Sequence, residues 1–407
     1  VTPTLSPAAE PTFAAVQQPA DIAEVSDIVR QAAGNGHAVF PVGGGTSMDL
    51  GVPPSKPGVT LDTRRLDRVI DYPARDMTIT VQAGLTVARL QALLAPENQR
   101  LPIDVPYADR ATVGGIVAAN VSGPRRLGCG TLRDYVIGIS VVNDEGHEVK
   151  AGGRVVKNVA GYDLCKLYVG SLGTLGVITQ LTFKLRPLPE EQALFAFACL
   201  PEQLAGALDG IHASRTRPVC VEVLNPAAAA RIAGRLQVQW PAVWTVVVGY
   251  EDNTEGLQWQ VHQLIEELGG RFDVGGYVGC CANPSWHELT EFSPPETMAL
   301  SFKAVVPAAA VAAFALEADR LTQGLLCVHA GNGVVLGHCA EAAAVSALRG
   351  RALALGGHLV VTRCPVTLKT VEFVWGPPRG DFALMRAVKE KLDPRGVFNP
   401  GRFVGGI

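Results

Sequence analysis

"FPVGGGTSMDLG", residues 40–51, sets three consecutive glycines and two hydroxyl side chains directly after a short apolar run. Glycines in a row let the backbone turn through positive φ and approach a ligand closely, and successive N–H groups aimed into one concavity form a nest for an anion. A phosphate suits such a loop, built here from Val42, Gly43, Gly44, Gly45, Thr46 and Ser47. No Lys-Ser or Lys-Thr follows and the G-x-G-x-x-G spacing is missing, so neither familiar phosphate motif is spelled and a plain turn is the competing reading.

Two further stretches weigh against a plain turn. "ATVGGIVAANVSGPRR" (111–126) places Thr112 ahead of Gly114 and Gly115, then Ala118, Ala119, Ser122 and Gly123, a run of small residues on which a flat, bulky group can lie against the backbone. "KNVAGYDLCKLYVGSLGTLGVIT" (157–179) adds Gly161, Gly170, Gly173 and Gly176. Interior glycine costs stability relative to alanine, and three such loops in one region point to a ligand that offsets the cost.

The elements around these loops follow from periodicity. "DIAEVSDIVRQAAGNG" (21–36) spaces Ile22, Val25, Ile28, Val29 and Ala32 as a helix that stops on Gly-Asn-Gly. "HAVFPV" is the strand that delivers the first loop, "VTLDT", "RVIDY" and "TITVQAG" are strands, and "TVARLQALLA" is a short amphipathic helix. In "TITVQAG", Ile79 and Val81 alternate with threonine and glutamine. "VIGISVVNDEGHEVKAGG" (136–153) reads as a hairpin turning at Asp144-Glu145-Gly146, and "GVITQLTFKLRPLP" (176–189) as a strand closed by prolines. The order is α+β, without the regular βαβ alternation of a dinucleotide-binding sheet.

At 407 residues the chain exceeds one ordinary core. The expected divisions are an N-terminal extension (1–19), a first domain (20–188), an alanine-rich second domain (189–387) and a polar tail (388–407). A net charge of −3 gives no footprint for nucleic acid. The longest apolar stretch, Ala304 to Leu316, is too short to span a bilayer and reads as a buried helix. With no secretory signal pattern in "VTPTLSPAAEPTF", a cytoplasmic location is the default. Nine cysteines without any C-x-x-C argue against an iron–sulfur cluster, a structural zinc or a disulfide framework; most read as buried, reduced residues, and the adjacent Cys280 and Cys281 as packing rather than redox groups.

"PVGGGTS", "DVPYADRATVGGIVAAN", "GSLGTLGVIT" and the terminal "LDPRGVFNPGR" resemble the FAD-binding domain and flavin-contacting tail of the vanillyl-alcohol-oxidase-type flavoproteins, the PCMH-type fold. Within that superfamily, "SGPRRLGCGTLRDYVIG" and "VVKNVAGYDLCKLYVGSLGTLGVIT" are most similar to the E subunits of bacterial glycolate oxidases. The resemblance implies two α+β subdomains that clasp FAD, then an α+β cap domain with an antiparallel sheet. Residues 42–47 would give backbone N–H groups to the pyrophosphate. Pro106, Thr112, Gly114, Gly115, Ala119, Ser122 and Gly123 would lie along the flavin side, and Gly176 and Ile178 along the adenosine half. Asn399 would approach the ring, and Arg402 would face negative charge on the flavin pyrimidine or a substrate carboxylate. The His or Cys that carries covalent flavin in the superfamily is missing from both loops, which implies non-covalent FAD.

Related 2-hydroxy-acid dehydrogenases carry a metal motif, H-x-G-D-G-N-x-H, and a later Glu-His pair. Here the stretch reads "VHAGNGVVLGH": His329 remains, Asn332, Val334 and Leu336 replace the other positions, and "TRCPVTLKTVEF" offers no Glu-His pair. No catalytic metal is therefore expected, and no catalytic residue is assigned. His338 is an alternative second ligand, although residues nine apart on one strand stand about 30 Å from each other. Asp163, Lys157 and Lys166 read as helix-flanking groups with Asp163 as N-cap. Arg125 and Arg126 read either as partners for a phosphate or partner acid, or as a solvated pair, and Trp286 as core.

Three functions follow from the resemblance. The first is an FAD subunit of a multi-subunit glycolate or other 2-hydroxy-acid oxidase, relaying electrons between a sister D-type FAD subunit and an F-type iron–sulfur subunit, with any membrane association through partners. The second is a self-sufficient dehydrogenase of glycolate or D-lactate, and the third a non-catalytic scaffold.

Overall fold

The computed structural model describes residues 13–153, 162–238, 243–268, 274–278 and 282–407. Lys157, Gly161, Cys280 and Cys281 lie outside them. The chain forms two compact units: one of residues 1–121, 131–187 and 365–407, the other of residues 122–130 and 188–364.

The first unit begins with β1 (Phe13–Gln17), β2 (Ala38–Val42) and β3 (Gly58–Asp62), joined in the parallel order β1-β3-β2. The helix Ile22–Gly34 packs on them because Val25, Ile28, Val29 and Ala32 recur on one face; Asp21 caps it, accepting from Glu24 N at 2.9 Å. A second sheet has the order β4-β5-β9-β7-β8, from β4 (Val69–Asp71), β5 (Thr78–Gln82), β7 (Val136–Val142), β8 (Glu148–Gly152) and β9 (Val177–Lys184), while β6 (Gln99–Arg100) pairs with β10 (Arg186–Pro187). The core of this sheet gathers Ile79, Val81, Leu181 and Phe183 with Leu90 and Val113 of the helices Val87–Leu94 and Val113–Ala119.

All five residues of β5 are buried, the threonines and Gln82 as well as Ile79 and Val81. The strand lies between β4 and β9, and Thr80 satisfies its hydroxyl on Thr182 at 3.0 Å. Asp163 is not an N-cap; the helix Cys165–Tyr168 starts after Leu164 with no side-chain cap, and Asp163 stands 3.7 Å from Lys166.

The second unit is one eight-stranded antiparallel sheet of order β14-β11-β13-β12-β16-β17-β15-β18. Its strands are β11 (Glu191–Cys199), β12 (Cys220–Leu224), β13 (Trp244–Asp252), β14 (Val274–Val278), β15 (Leu300–Val305), β16 (Leu325–His329), β17 (Val334–Cys339) and β18 (His358–Arg363). The apolar stretch from Ala304 is not one helix: β15 ends at Val305, a turn follows at Pro307, and the helix runs Val311–Thr322. Proline has no N–H for the helix interior and its ring resists continuation there, which separates the two elements.

Residues 122–130 belong with this sheet. Arg125 pairs with Glu251 at 2.6 Å, both nearly buried, and its guanidinium stacks 3.8 Å over the Trp286 ring. Neither the phosphate reading nor the solvated reading of Arg125 holds. Trp286 is 3% exposed and sits in the core with Leu194, Cys220 and Leu289.

Candidate cofactor site

The first unit carries a cleft with about 820 Å³ of empty space counted out to its mouth. One wall is the loop after β2, from Val42 through Gly43, Gly44, Gly45 and Thr46 to Ser47. A second is Thr112, Gly114, Gly115 and Ala119 on the short helix, and a third is Gly176 and Ile178 leading into β9. Asn399 and Arg402 close it from the C-terminal segment.

Gly44 serves a packing purpose in addition to the one read from the sequence. A Cβ on Gly44 would lie 1.7 Å from the Arg110 carbonyl oxygen, so the loop backbone touches the next segment of the chain itself. Gly45 has φ of +71°, which L side chains rarely adopt. At Gly44 the cost is offset in part by loop-on-loop packing within the protein, whereas a Cβ on Gly45 would meet nothing within 4 Å.

Thr112 caps its helix, accepting from Gly115 N at 3.3 Å. Asn399 donates from Nδ2 to Leu172 O at 2.7 Å, while its Oδ1, buried at the cleft, has no partner among the described residues. Arg402 donates from Nη2 to Met48 O at 3.1 Å and Leu50 O at 3.0 Å, tying the tail to the glycine loop. No carboxylate pairs with Arg402 among the described residues, and burial pulls its guanidinium below the usual range. A cleft with a backbone-lined anion end, an orphaned buried amide oxygen and an uncompensated guanidinium fits an extended, acidic cofactor such as FAD.

Three of the residues assigned from sequence stand apart. Pro106 does not line the cleft, and Ser122 and Gly123 belong to the second unit, where the Ser122 hydroxyl accepts from Arg126 Nη1 at 3.3 Å. Pro41, Thr63, Leu172 and Gly173 line the cleft without having been assigned. Pro41, Leu172 and Gly173 belong to the same motifs, "PVGGGTS" and "GSLGTLGVIT", as the assigned residues, and Thr63 is held at the loop by its hydroxyl, which donates to Val42 O at 3.2 Å.

His329 ends β16 directly across from Glu222 on β12. Its Nδ1 lies 2.7 Å from the carboxylate, and the pair is 4% and 0% exposed at the side chains. The Cys327 thiol donates to Glu222 Oε2 at 3.2 Å and the Cys220 thiol lies 3.9 Å from Oε1. Burial, then the Glu222 charge, holds the Cys327 thiol well above its ordinary range. The chain does fold back between His329 and His338, but in the β16–β17 hairpin His338 faces Leu325, four residues along from His329. His338 instead contacts Ser301 Oγ at 2.9 Å and Phe292 O at 2.7 Å, a packed histidine rather than a second ligand. Glu222 escaped the sequence reading because it is 107 residues from His329. The repeated alternation Cys-Val-Glu at 220–222 and Cys-Val-His at 327–329 is the signal that was there to find.

Comparison with known proteins agrees with the cleft. Residues 13–152 match the model of an FAD binding domain, and residues 377–403 that of the C-terminal domain of FAD linked oxidases. The glycolate oxidase subunit GlcE of Escherichia coli (strain K12) is 41% identical over 133 residues, 32% of this chain and 38% of that one. The glycolate oxidase subunit GlcD of Bacillus subtilis (strain 168) is 27% identical over 95% of this chain and 88% of that one. The D-lactate dehydrogenase of Archaeoglobus fulgidus is 28% identical over 99% and 94%. Among solved structures, the 4-ethylphenol oxidase from Gulosibacter chungangensis superposes with a TM-score of 0.74 at 15% identity, covering 95% of this chain and 88% of that one. No helix among the described residues is long and apolar enough to cross a membrane.

Proposed function

We propose that this chain, an FAD-linked oxidoreductase by its matches at residues 13–152 and 377–403 and α+β in fold, is the FAD-bearing subunit of a multi-subunit oxidase of glycolate or a related 2-hydroxy acid. Its flavin would relay electrons between a sister FAD subunit and an iron–sulfur subunit. The observation that carries this reading is His329, turned into the sheet, 3% exposed and hydrogen-bonded to Glu222. A base for substrate must reach the proton it removes, and this imidazole is committed elsewhere. The resemblance to the E-type subunit supports the same reading.

In this proposal FAD is held without a covalent bond. Backbone N–H groups of residues 42–47 hold the pyrophosphate, Thr112, Gly114 and Gly115 border the flavin side, and Gly176 and Ile178 border the adenosine half. Asn399 Oδ1 accepts from the ring, and Arg402 offsets negative charge on it. Bound FAD supplies acceptance of two electrons and their release one at a time. The protein's own part is to fix the cofactor and exclude water from it.

A second reading, a self-sufficient dehydrogenase, has one observation in its favour. The Lys303 ammonium on β15 has no hydrogen bond or ion pair among the described residues, and burial, then the nearby Arg126, brings it down to about 8. An unpaired cation of this kind suits a substrate carboxylate. An anaerobic visible spectrum of the purified chain separates the two. A flavin spectrum unchanged by glycolate or D-lactate, then bleached once the partner subunits are added, is the expected result. Bleaching of the isolated chain would overturn the relay.

A further inference from the structure

We infer that Glu222, Cys327 and His329 form a closed structural site for a divalent metal ion of the zinc class inside the eight-stranded sheet. One potential donor atom from each of Glu222, Cys327 and His329 lies within 4.8 Å of the others, and all three residues are buried. Cys220 Sγ, 3.9 Å from Glu222 Oε1 on the side away from Cys327, contacts the carboxylate and stands outside the donor set.

The topology explains the convergence. β12 and β16 are antiparallel neighbours with Glu222 across from His329, and Leu224 across from Cys327. Side chains two apart share a strand face, so Cys220 and Glu222 on one strand and Cys327 and His329 on the other project to the same side. Sulfur, imidazole nitrogen and carboxylate oxygen together are the donor set that zinc accepts.

Charge favours the assignment as well. A divalent ion with one thiolate, one carboxylate and one neutral imidazole is electrically neutral, which suits side chains 0% and 4% exposed at Glu222 and His329. Binding would release the Cys327 thiol proton to solvent, and a His329 proton on Nδ1 would move to Nε2, so that the ligating imidazole stays neutral. The second Glu222 oxygen completes four-coordination, leaving no open position, so the site would bind β12 to β16 and not touch substrate. Of the dehydrogenase metal motif only His329 takes part; the positions of its other ligands hold Leu336 and the "TRCP" stretch.

The test uses the full chain purified from zinc-supplemented cells, with zinc measured by elemental analysis and its ligands by X-ray absorption, which the flavin does not obscure. About one zinc per chain is expected, with a sulfur shell near ~2.3 Å and nitrogen or oxygen near ~2.0–2.1 Å. Cys327→Ser and Glu222→Gln should each lower zinc content at least fivefold, while Cys199→Ser leaves it unchanged. Less than a tenth of an equivalent in the unsubstituted, folded chain would overturn the site, as would zinc with only nitrogen and oxygen neighbours. Because the unsubstituted protein answers the question, misfolding of a variant cannot shelter the proposal.

Discussion

The Lys389 ammonium sits 2.5 Å from Asp393 Oδ2, one helical turn on, and both side chains are almost completely buried. Lys389 also donates to Thr174 O at 2.7 Å and Phe398 O at 2.9 Å, while Asp393 accepts from Val397 N at 2.8 Å and Phe398 N at 2.9 Å. One ion pair thus fastens the last helix, the loop before β9 and the segment leading to Asn399. Replacing Lys389 with Met leaves a buried carboxylate without its cation, and a loss of about 3–5 kcal/mol in urea unfolding is expected. Lys389→Met combined with Asp393→Asn should lose less than Lys389→Met alone; an equal or larger loss would show that the pair's charge balance is not what matters.

Gly44 tests the cleft wall. In Gly44→Ala the new methyl meets the Arg110 carbonyl, and the loop must move away from its neighbour. The expected cost is about 1–3 kcal/mol in stability, together with weaker FAD retention on gel filtration. Gly34→Ala, where a Cβ meets nothing within 4 Å, is the control that should keep its flavin.

Asn399 tests the orphaned amide oxygen. Asn399→Ala removes both the Leu172 contact and the free acceptor, and FAD affinity measured by fluorescence titration should fall about tenfold, equivalent to ~1.4 kcal/mol. An unchanged affinity would remove Asn399 from the cofactor site.

The His338 imidazole sets a pH dependence. Burial drives its pKa from 6.5 down to about 4, with the Phe292 carbonyl opposing the shift and Arg363 and Arg231 reinforcing it; Ser301 and the stacked Phe292 ring complete its surroundings. Below pH 6.5 the unfolded chain takes up a proton that the folded chain refuses until about 4, so this contribution is complete above 6.5 and declines as pH falls through that window. From pH 7 to pH 5 the loss is about 2 kcal/mol. His338→Gln should flatten the slope of unfolding free energy against pH over this range, and an unaltered slope would assign it to other groups.

Much of the local structure was legible beforehand. The helix at Ile22–Gly34, the β2 strand with its glycine loop and the β7–β8 hairpin follow from spacing and turn residues, because burial of one face imposes a period on the residues that form it. Fourteen of the residues read as cofactor contacts, among them Gly43, Thr112, Gly176 and Arg402, do meet at one cleft. Ser122 and Gly123 did not follow, since the chain crosses into the second unit at that point. Nothing in the composition of "VSGPRR" marks the crossing.

By itself the sequence determined the elements, the α+β class and the FAD-linked oxidoreductase character, all carried by short segments whose residue types and order are sufficient. Tertiary structure alone decided that Arg125 pairs with Glu251, that Lys389 joins three separate segments, and that Glu222 meets His329 from 107 residues away. The reason is physical. Periodicity records which face of an element is buried, but the partner waiting there depends on strand order, and strand order is settled by the collective packing of the whole sheet.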